Sequence, residues 1–239
     1  MENGRKRMDD APKWLYDEFH SPGVDYQKDE VVGDYEKRHA GFRDFSAEAR
    51  RALDRIGPLS DDATLIDLGC GPGTLTIEFA PRFRRIDAAD VSDKMLSLFR
   101  RKIEERKVEN IFLHHHGFLT YRHEGEPADV LFTSIALHHL PDFWKACAFD
   151  RMRGMIKPGG FLYLTDVIFH FDVSDWREGT ETLLSAMGHA AGHEADLHIQ
   201  REFSSFDWIL EGIFEKTGFE ILRHFDENDF LRTYLLKRR

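Results

Sequence analysis

The chain has 239 residues, of which 41% are hydrophobic and 32% charged, and its formal net charge at pH 7 is −10. Its length suits a single α/β domain with insertions, and its 20 Phe and 4 Trp residues can fill a sizeable core. The acidic balance argues against a broad surface for nucleic acid or anionic lipid, because such surfaces need clustered Lys and Arg.

Residues 1–60 predict a polar N-terminal helical cap that contains several aromatic side chains. Three glycines interrupt this region, at Gly23, Gly33 and Gly41. The segment from Phe45 to Ile56 has helical character and ends at Gly57-Pro58, a pair that stops helices.

From residue 61 onward, short apolar segments alternate with amphipathic ones. The predicted strands are 64–68, 86–91, 110–114, 129–135 and 161–168. The predicted helices are 74–83, 92–106 and 143–156. Nearly continuous apolar strands are typical of parallel strands covered on both faces, so this region predicts a doubly wound α/β sheet.

The regular alternation lapses after residue 170. Residues 171–204 are polar and contain Gly and His, and we expect an insertion that is partly helical. A helix is predicted at 205–217 with Gly218 as its C-cap, followed by two strands at 219–225 and 230–236. We therefore predict one domain with four parts: a cap (1–60), a core (61–170), an insertion (171–204) and a C-terminal helix with a hairpin (205–239).

The most informative segment is Leu65–Thr74, where an apolar strand runs into glycines at 69, 71 and 73 and a helix follows at once. Glycine there allows a sharp turn and lets a ligand lie against the main chain without interference from a Cβ atom. The spacing differs from the dinucleotide fingerprint Gly-x-Gly-x-x-Gly, because the third glycine comes one residue early. Asp67 would also repel a pyrophosphate, whereas it suits a ligand with an ammonium group.

Asp90 lies at the end of the second predicted strand, 21 residues after Gly69. At this distance an acidic residue can accept hydrogen bonds from both hydroxyls of a ribose. The alternative is that Asp90 caps a helix or lies at a solvated loop end. Its combination with the glycine loop favours the ribose role, and the loop lacks the Gly-Lys-Ser/Thr of a nucleotide P-loop.

Four motifs follow one another along the chain: Asp67–Gly73, Asp90–Leu96, Ala136–Asp142 and Ile156–Leu164. In this order they resemble the motifs of class I S-adenosylmethionine (SAM)-dependent methyltransferases, and they are closest to the small-molecule enzymes of the ubiquinone/menaquinone type. The resemblance covers residues 35–170 well and the last helix and hairpin loosely. It implies a mostly parallel seven-stranded sheet in the order 3-2-1-4-5-7-6 with the last strand antiparallel, and SAM as the cofactor.

The resemblance also implies which residues bind the cofactor. The methionine end of SAM would lie over the glycine loop, which comprises Gly69, Cys70, Gly71 and Gly73. Asp67 would lie near the ammonium group, Ser134 would offer backbone near the methionine moiety, and Tyr35 of the cap would close over SAM.

By the same resemblance, Asp90 would bind the ribose, and Val91 and Met95 would pack on the adenine ring. Many relatives place an Asp after the third strand to bind the adenine amino group, but here Phe118 stands in that place. A backbone contact with stacking by Phe118 or Leu119 is therefore the expected replacement.

Methyl transfer from a sulfonium is an in-line displacement that depends mainly on orientation, and a general base is needed only for a nucleophile with a high pKa. Candidate bases follow the fourth and fifth strands, where ligands of doubly wound sheets bind: His138, His139, Asp142, Asp166 and His170. Of these we select His138, although the histidines could simply shape the loop.

No metal site is predicted. The run His114-His-His116 lies on a strand, where consecutive side chains alternate between faces and do not converge on one ion. His189, His193 and His198 have a better spacing, but no His-Glu-x-x-His pattern or nearby cysteine accompanies them, and we expect them to cover the acceptor site.

The predicted function is methyl transfer from SAM to a small organic acceptor. The alternatives are an RNA methyltransferase acting on a tRNA base, which the acidic charge disfavours, a non-catalytic SAM-binding protein, and a nicotinamide dehydrogenase, which the glycine spacing disfavours. Two cysteines, a polar N-terminus and the lack of a long apolar run predict a protein of the cytoplasm without a signal peptide or membrane span.

Overall fold

A computed structural model describes residues 12–20, 23, 43–191 and 194–239, with backbone only at 189–191 and 194. The strands are β1 Thr64–Leu68, β2 Arg85–Asp90, β3 Ile111–His115, β4 Ala128–Ser134, β5 Ile156–Phe169, β6 Ser205–Phe206, β7 Phe219–Asp226 and β8 Leu231–Arg238. The α-helices are α1 Phe45–Ile56, α2 Thr76–Phe79, α3 Asp93–Arg106, α4 Asp142–Met155, α5 Trp176–Ala191, α6 Glu194–Arg201 and α7 Asp207–Lys216. Short 3-10 helices span Leu137–His139 and Val173–Asp175.

The strands form one sheet in the order β3-β2-β1-β4-β5-β8-β7, with the two-residue β6 paired to β5 outside this path. The pairs from β3 to β5 are parallel, and β8 runs antiparallel to both β5 and β7. Strands β7 and β8 are the sixth and seventh strands of the sequence prediction. The predicted order 3-2-1-4-5-7-6 is therefore confirmed.

Helices cover both faces of the sheet, so the domain has three layers. One apolar cluster packs the sheet against α4 and α7, and it includes Phe149 and Phe214, which are fully buried. The other cluster packs the opposite face against α1, α2 and α3, with Phe79 and Phe99 at its centre. A smaller cluster joins α5 and α6 to β5 through Leu183 and other apolar side chains.

Three local predictions differ from the structure. Residues 12–20 form turns rather than helix, although α1 has the predicted bounds. The helix predicted at 74–83 is a single turn, α2, because Pro81 has no amide hydrogen and disfavours helical backbone in the residue before it. A break was predicted at Lys157–Gly160, but strand β5 already begins at Ile156. Its first residues are irregular, because the pairing of β5 with β4 shifts in register between Ala128 and Val130.

The insertion contains helices α5 and α6, as expected of a partly helical segment. Within the described ranges no helix combines the length and apolar character needed to cross a bilayer.

Candidate functional site

The glycine loop follows β1 and turns sharply at three residues. Gly69, Gly71 and Gly73 have φ angles of 76°, 54° and 68°, in the left-handed region that favours glycine. The amides of Gly69 and Cys70 both donate to the carbonyl oxygen of Ala89, at 2.8 and 3.1 Å, which fixes the loop to the end of β2. The loop is thus a rigid turn at the carboxyl edge of the sheet.

The surroundings of the three glycines show which of them faces open space. A Cβ atom on Gly69 would lie 2.4 Å from Cβ of Ala136, and one on Gly73 would lie 2.1 Å from the buried ring of Phe99. A Cβ atom on Gly71 would meet nothing within 4 Å. Gly69 and Gly73 therefore allow close packing of the loop, whereas Gly71 leaves bare backbone beside an open space.

Asp90, at the end of β2, fixes this loop by a hydrogen bond. Its Oδ2 accepts from the Gly71 amide at 2.8 Å and its Oδ1 accepts from the Ser92 amide at 2.8 Å. Burial raises the pKa of Asp90, while the two amide hydrogen bonds lower it. Each carboxylate oxygen has further lone-pair capacity, so Asp90 can also accept from hydroxyls of a ligand.

Asp67, in β1, is almost fully buried behind the loop. Its Oδ2 accepts a 2.6 Å hydrogen bond from the hydroxyl of Thr76. Burial raises the pKa of Asp67 to about 7; the Thr76 bond opposes this rise and the negative charge of Asp90 adds to it. Asp67 makes no ion pair with any described residue, and a buried carboxyl of this kind suits a cationic group near the loop.

A pocket, here called the glycine-loop pocket, opens beside these residues and has a volume of about 700 Å³ including space open to solvent. Six of its lining residues were predicted from sequence: Gly69, Gly71, Asp90, Val91, Met95 and Phe118. Its other lining residues are Glu18, Gly117, Ile135, Ala136, His139 and Leu140. A pocket of this size, largely apolar with few polar groups, is typical of a small-molecule site.

The remaining predicted cofactor residues do not line this pocket. Asp67 is buried in β1 behind the loop, and Gly73 packs closely against the ring of Phe99. Cys70 packs on the apolar cluster beneath the loop, and Leu119 is buried. Ser134 lines a different cavity, and Tyr35 lies outside the described residues.

Glu18 is a charged residue of the pocket that was not predicted from the sequence. Its carboxylate accepts from the amides of Leu119 and Thr120, both at 2.9 Å, and from the Thr120 hydroxyl at 2.7 Å. A Cβ atom on Gly117 would lie 2.4 Å from this carboxylate, so glycine at 117 makes room for it. The backbone amides of Leu119 and Thr120 therefore already donate to an acidic side chain from residues 12–20, and the expected backbone contact to adenine stays a prediction.

A second cavity, here called the arginine-lined cavity, shares the lining residue Ile135 with the glycine-loop pocket. Its charged lining residues are Arg43, Arg51, Arg55, Glu48 and Glu227. Among the described residues, the ion pairs Arg43–Glu48 and Arg55–Glu227 leave this lining with one arginine in excess of the glutamates.

The residue between the two cavities has an unusual backbone. Ile135 has a φ of 54°, which is rare for a β-branched residue, and its amide donates to the carbonyl oxygen of Thr165 at 2.8 Å. Such strained residues cluster at functional sites, where surrounding contacts hold them in place.

His138, the predicted base, is buried at the ends of β4 and β5. Its Nδ1 lies 2.5 Å from Oδ1 of Asp166, and its Nε2 lies 3.4 Å from Oε2 of Glu202. Burial lowers the pKa of His138, but the charge and hydrogen bond of Asp166 outweigh burial and raise it. His138 does not line the glycine-loop pocket, whereas its neighbour His139 does.

Of the other histidines considered from sequence, His198 packs on His138, whereas those of β3 lie elsewhere. His114 contacts Asp87 at 2.8 Å, and His115 contacts the carbonyl oxygen of Val91 at 2.9 Å, so neighbouring histidines of β3 have separate partners. The side chains of His189 and His193 lie outside the described residues.

Comparison with known proteins agrees with this geometry. Residues 65–160, which carry the glycine loop and Asp90, match the family model of a methyltransferase domain. An uncharacterized methyltransferase of Geobacillus kaustophilus is 26% identical over 179 residues, covering 74% of this chain and 78% of that protein.

Two solved structures share the fold. A SAM-dependent methyltransferase from Clostridium acetobutylicum aligns with a TM-score of 0.67 and 14% identity, covering 87% of this chain and 98% of that chain. Magnesium protoporphyrin IX methyltransferase from Synechocystis PCC 6803, solved with bound S-adenosylhomocysteine (SAH), aligns with a TM-score of 0.65 and 17% identity, covering 90% and 97%. The sheet order, the glycine loop and the match over residues 65–160 together show a methyltransferase domain with the fold of class I SAM-dependent methyltransferases, enzymes that use S-adenosyl-L-methionine as cofactor.

Proposed function

We propose that this protein transfers a methyl group from SAM to a small organic acceptor, with SAM in the glycine-loop pocket and the acceptor in the arginine-lined cavity. The observation that carries the proposal is that the glycine-loop pocket and the arginine-lined cavity share the lining residue Ile135. The positive φ angle of this shared residue supports a functional role for it.

The residues around the glycine loop fit SAM. Gly71 offers backbone without a side chain, Asp90 offers carboxylate oxygens for the ribose, and Val91 and Met95 offer apolar contact for adenine. Asp67 compensates the charge of the methionine ammonium group from behind the loop, directly or through water.

When bound, SAM supplies an activated methyl group on a sulfonium. The chain's own contribution is to orient the acceptor and to exclude water, which can lower the barrier by roughly 7–11 kcal/mol. A general base at His138 stays a prediction, since its Nε2 is directed at Glu202 rather than at the pocket.

The acceptor class follows from the charges of the arginine-lined cavity. Three arginines face two glutamates there, so an acceptor with one carboxylate or another acidic group is electrostatically favoured. The subtype of the ubiquinone/menaquinone enzymes and the location in the cytoplasm stay predictions.

The function is tested by calorimetric titration with SAM, SAH and NAD, followed by a metabolite screen for SAH release. We expect binding of SAM and SAH, no binding of NAD, and turnover concentrated among acidic small molecules. Binding of NAD instead of SAH would refute the assignment of the pocket, and turnover with tRNA alone would refute the small acceptor.

Glu18 supplies the acidic group that the chain lacks after β3. Its carboxylate lines the glycine-loop pocket beside Gly117 and Phe118, and a carboxylate there can accept from the exocyclic amine of adenine. Burial raises the pKa of Glu18, while hydrogen bonds from Leu119 and Thr120 lower it. Glu18 would thus recognise the base from a segment outside the four motifs.

We expect wild-type protein to bind SAH more tightly than S-inosylhomocysteine, in which a carbonyl replaces the amine. One charged hydrogen bond is worth about 1.5–3 kcal/mol, or roughly 10–100-fold in affinity. Glu18→Gln should lose this preference, because its amide can donate to the carbonyl. Calorimetry with both ligands measures the ratio.

The matched control for this ratio is Asp17→Asn, which makes the same charge change on an exposed neighbour. It should leave the preference intact. If Glu18→Gln still prefers SAH to S-inosylhomocysteine by the wild-type factor, Glu18 does not bind the adenine amine. If Glu18→Ala binds SAH more tightly than the wild type, the Glu18 side chain blocks part of the adenine site.

A further inference from the structure

Three imidazoles and one carboxylate gather where β4 and β5 end. The ring of His138 lies 4.3 Å from that of His139 and 4.8 Å from that of His198, measured between centroids. Glu202, at the end of α6, faces all three rings. Its side chain and those of His138 and His198 are less than 10% exposed.

Two carboxylates flank the imidazole of His138. Asp166 contacts one ring nitrogen of His138, and Glu202 faces the other. If Nδ1 donates its hydrogen to Asp166, the neutral ring presents a lone pair on Nε2 to a second carboxylate. Lys145 lies nearby, but its ammonium group contacts Asp142 at 3.0 Å and the Ser205 hydroxyl.

We propose that Nε2 of His138, Nδ1 of His139 and the carboxylate of Glu202 bind a divalent first-row transition-metal ion. These ligand atoms all lie within 4.8 Å of one another. Glu202 oxygens lie 3.4 Å from Nε2 of His138 and 3.8 Å from Nδ1 of His139. Donors that each lie about 2.0–2.2 Å from one ion in a tetrahedral site are roughly 3.3–3.6 Å apart, so side-chain rotations that bring the widest pair about 1 Å closer complete the set.

The groups around these three ligands orient them as in known metal sites. Asp166 holds Nδ1 of His138, an arrangement that fixes the tautomer and directs Nε2 to the ion. His198 contacts Glu202 through Nδ1 and the Ser204 hydroxyl through Nε2, at 2.7 Å, and so positions the carboxylate.

Two histidines and one carboxylate form a ligand set used for Zn²⁺ and Fe²⁺, with coordination positions left open. His139 also lines the glycine-loop pocket, so the open side of the ion faces the region of the bound cofactor and acceptor. In this role His138 is a metal ligand and not a general base. The site does not depend on the proposed function, since metal binding is measured without turnover.

The test uses untagged full-length protein, stripped with a chelator, dialysed and titrated with Co²⁺ while visible absorption is recorded. We expect one equivalent of Co²⁺ per chain, bands of a nitrogen- and oxygen-ligated ion, and displacement by Zn²⁺. Glu202→Gln and His139→Ala should each weaken Co²⁺ binding at least tenfold, and Asp166→Asn should weaken it about 10–100-fold.

His224→Ala is the matched control, because it removes an exposed histidine on β7 far along the chain from the cluster. It should bind Co²⁺ as the wild type does. SAH titration and thermal unfolding of the same samples report whether each variant is folded, and His139 is the more exposed ligand and the safer substitution. The metal site is refuted if the wild-type protein binds SAH but takes up no stoichiometric Co²⁺. It is also refuted if folded variants of the ligand residues bind Co²⁺ with wild-type affinity. Either result leaves the proposed function intact.

Discussion

Asp90→Ala is expected to weaken SAH binding by roughly 10²–10³-fold, the largest loss among single substitutions in the glycine-loop pocket. The substitution removes the carboxylate, so the ribose loses its hydrogen bonds to Asp90, each worth about 1.5–3 kcal/mol when the acceptor is charged. The substitution would also remove the 2.8 Å bond from the Gly71 amide, so the loop would have to be ordered by the ligand itself. Calorimetry measures the affinity, and thermal unfolding without ligand measures the cost to the apo protein.

Asp93→Ala is a suitable control for this loss of affinity. Asp93 lies three residues along, at the start of α3, and its side chain is 74% exposed. Removing it makes the same change in net charge and should change SAH affinity little. Asp90→Asn separates the two roles, because its remaining oxygen can still accept from Gly71 while the charge toward the ribose is gone. Wild-type affinity in Asp90→Ala would refute the ribose role.

The part of the site that could be predicted from sequence is the part built from local signals. The turn after β1 takes positive φ angles at residues 69, 71 and 73, where glycine is favoured. The position of Asp90 follows from the short helix after this turn and from the length of β2, which ends at Asp90. Parallel pairing then brings Asp90 beside the loop without any further information, since Leu68 is opposite Ala89 in the register. The order of strands followed from the family resemblance.

The rest depends on contacts between distant segments that no local pattern encodes. Glu18 reaches residues 117–120 from a segment of turns, and Glu202 reaches His138 from the insertion. Neither acid belongs to a motif of its own. A usable signal was the glycine at 117, because a glycine just after β3 leaves room for another side chain to approach the backbone.

Asp67→Asn is expected to stabilise the protein without ligand and to weaken ligand binding at the same time. Burial raises the pKa of Asp67 to about 7, above the 3.8 of a free aspartate, so the folded state holds this proton more tightly than the unfolded state. The stabilising contribution is therefore complete below pH 3.8 and is lost as the pH rises through about 7. At about pH 8 the wild type carries a buried charge, and removing it should raise stability by roughly 1–3 kcal/mol, or several degrees in Tm.

Ligand binding should respond in the opposite direction, because the ionised form of Asp67 attracts the ammonium group of the ligand. Wild-type affinity for SAH should rise between about pH 5.5 and about pH 8 as Asp67 loses its proton, and this rise should be absent in Asp67→Asn. Thr76→Val is the companion variant: it removes the 2.6 Å hydrogen bond to Asp67, leaves the carboxyl group in place, and should move the rise in affinity to higher pH. SAH is the better probe, since it keeps the ammonium group and lacks the sulfonium charge. An Asp67→Asn protein that unfolds at lower temperature at pH 8, or that binds SAH with the pH dependence of the wild type, would show that this carboxyl group serves the fold and not the cofactor.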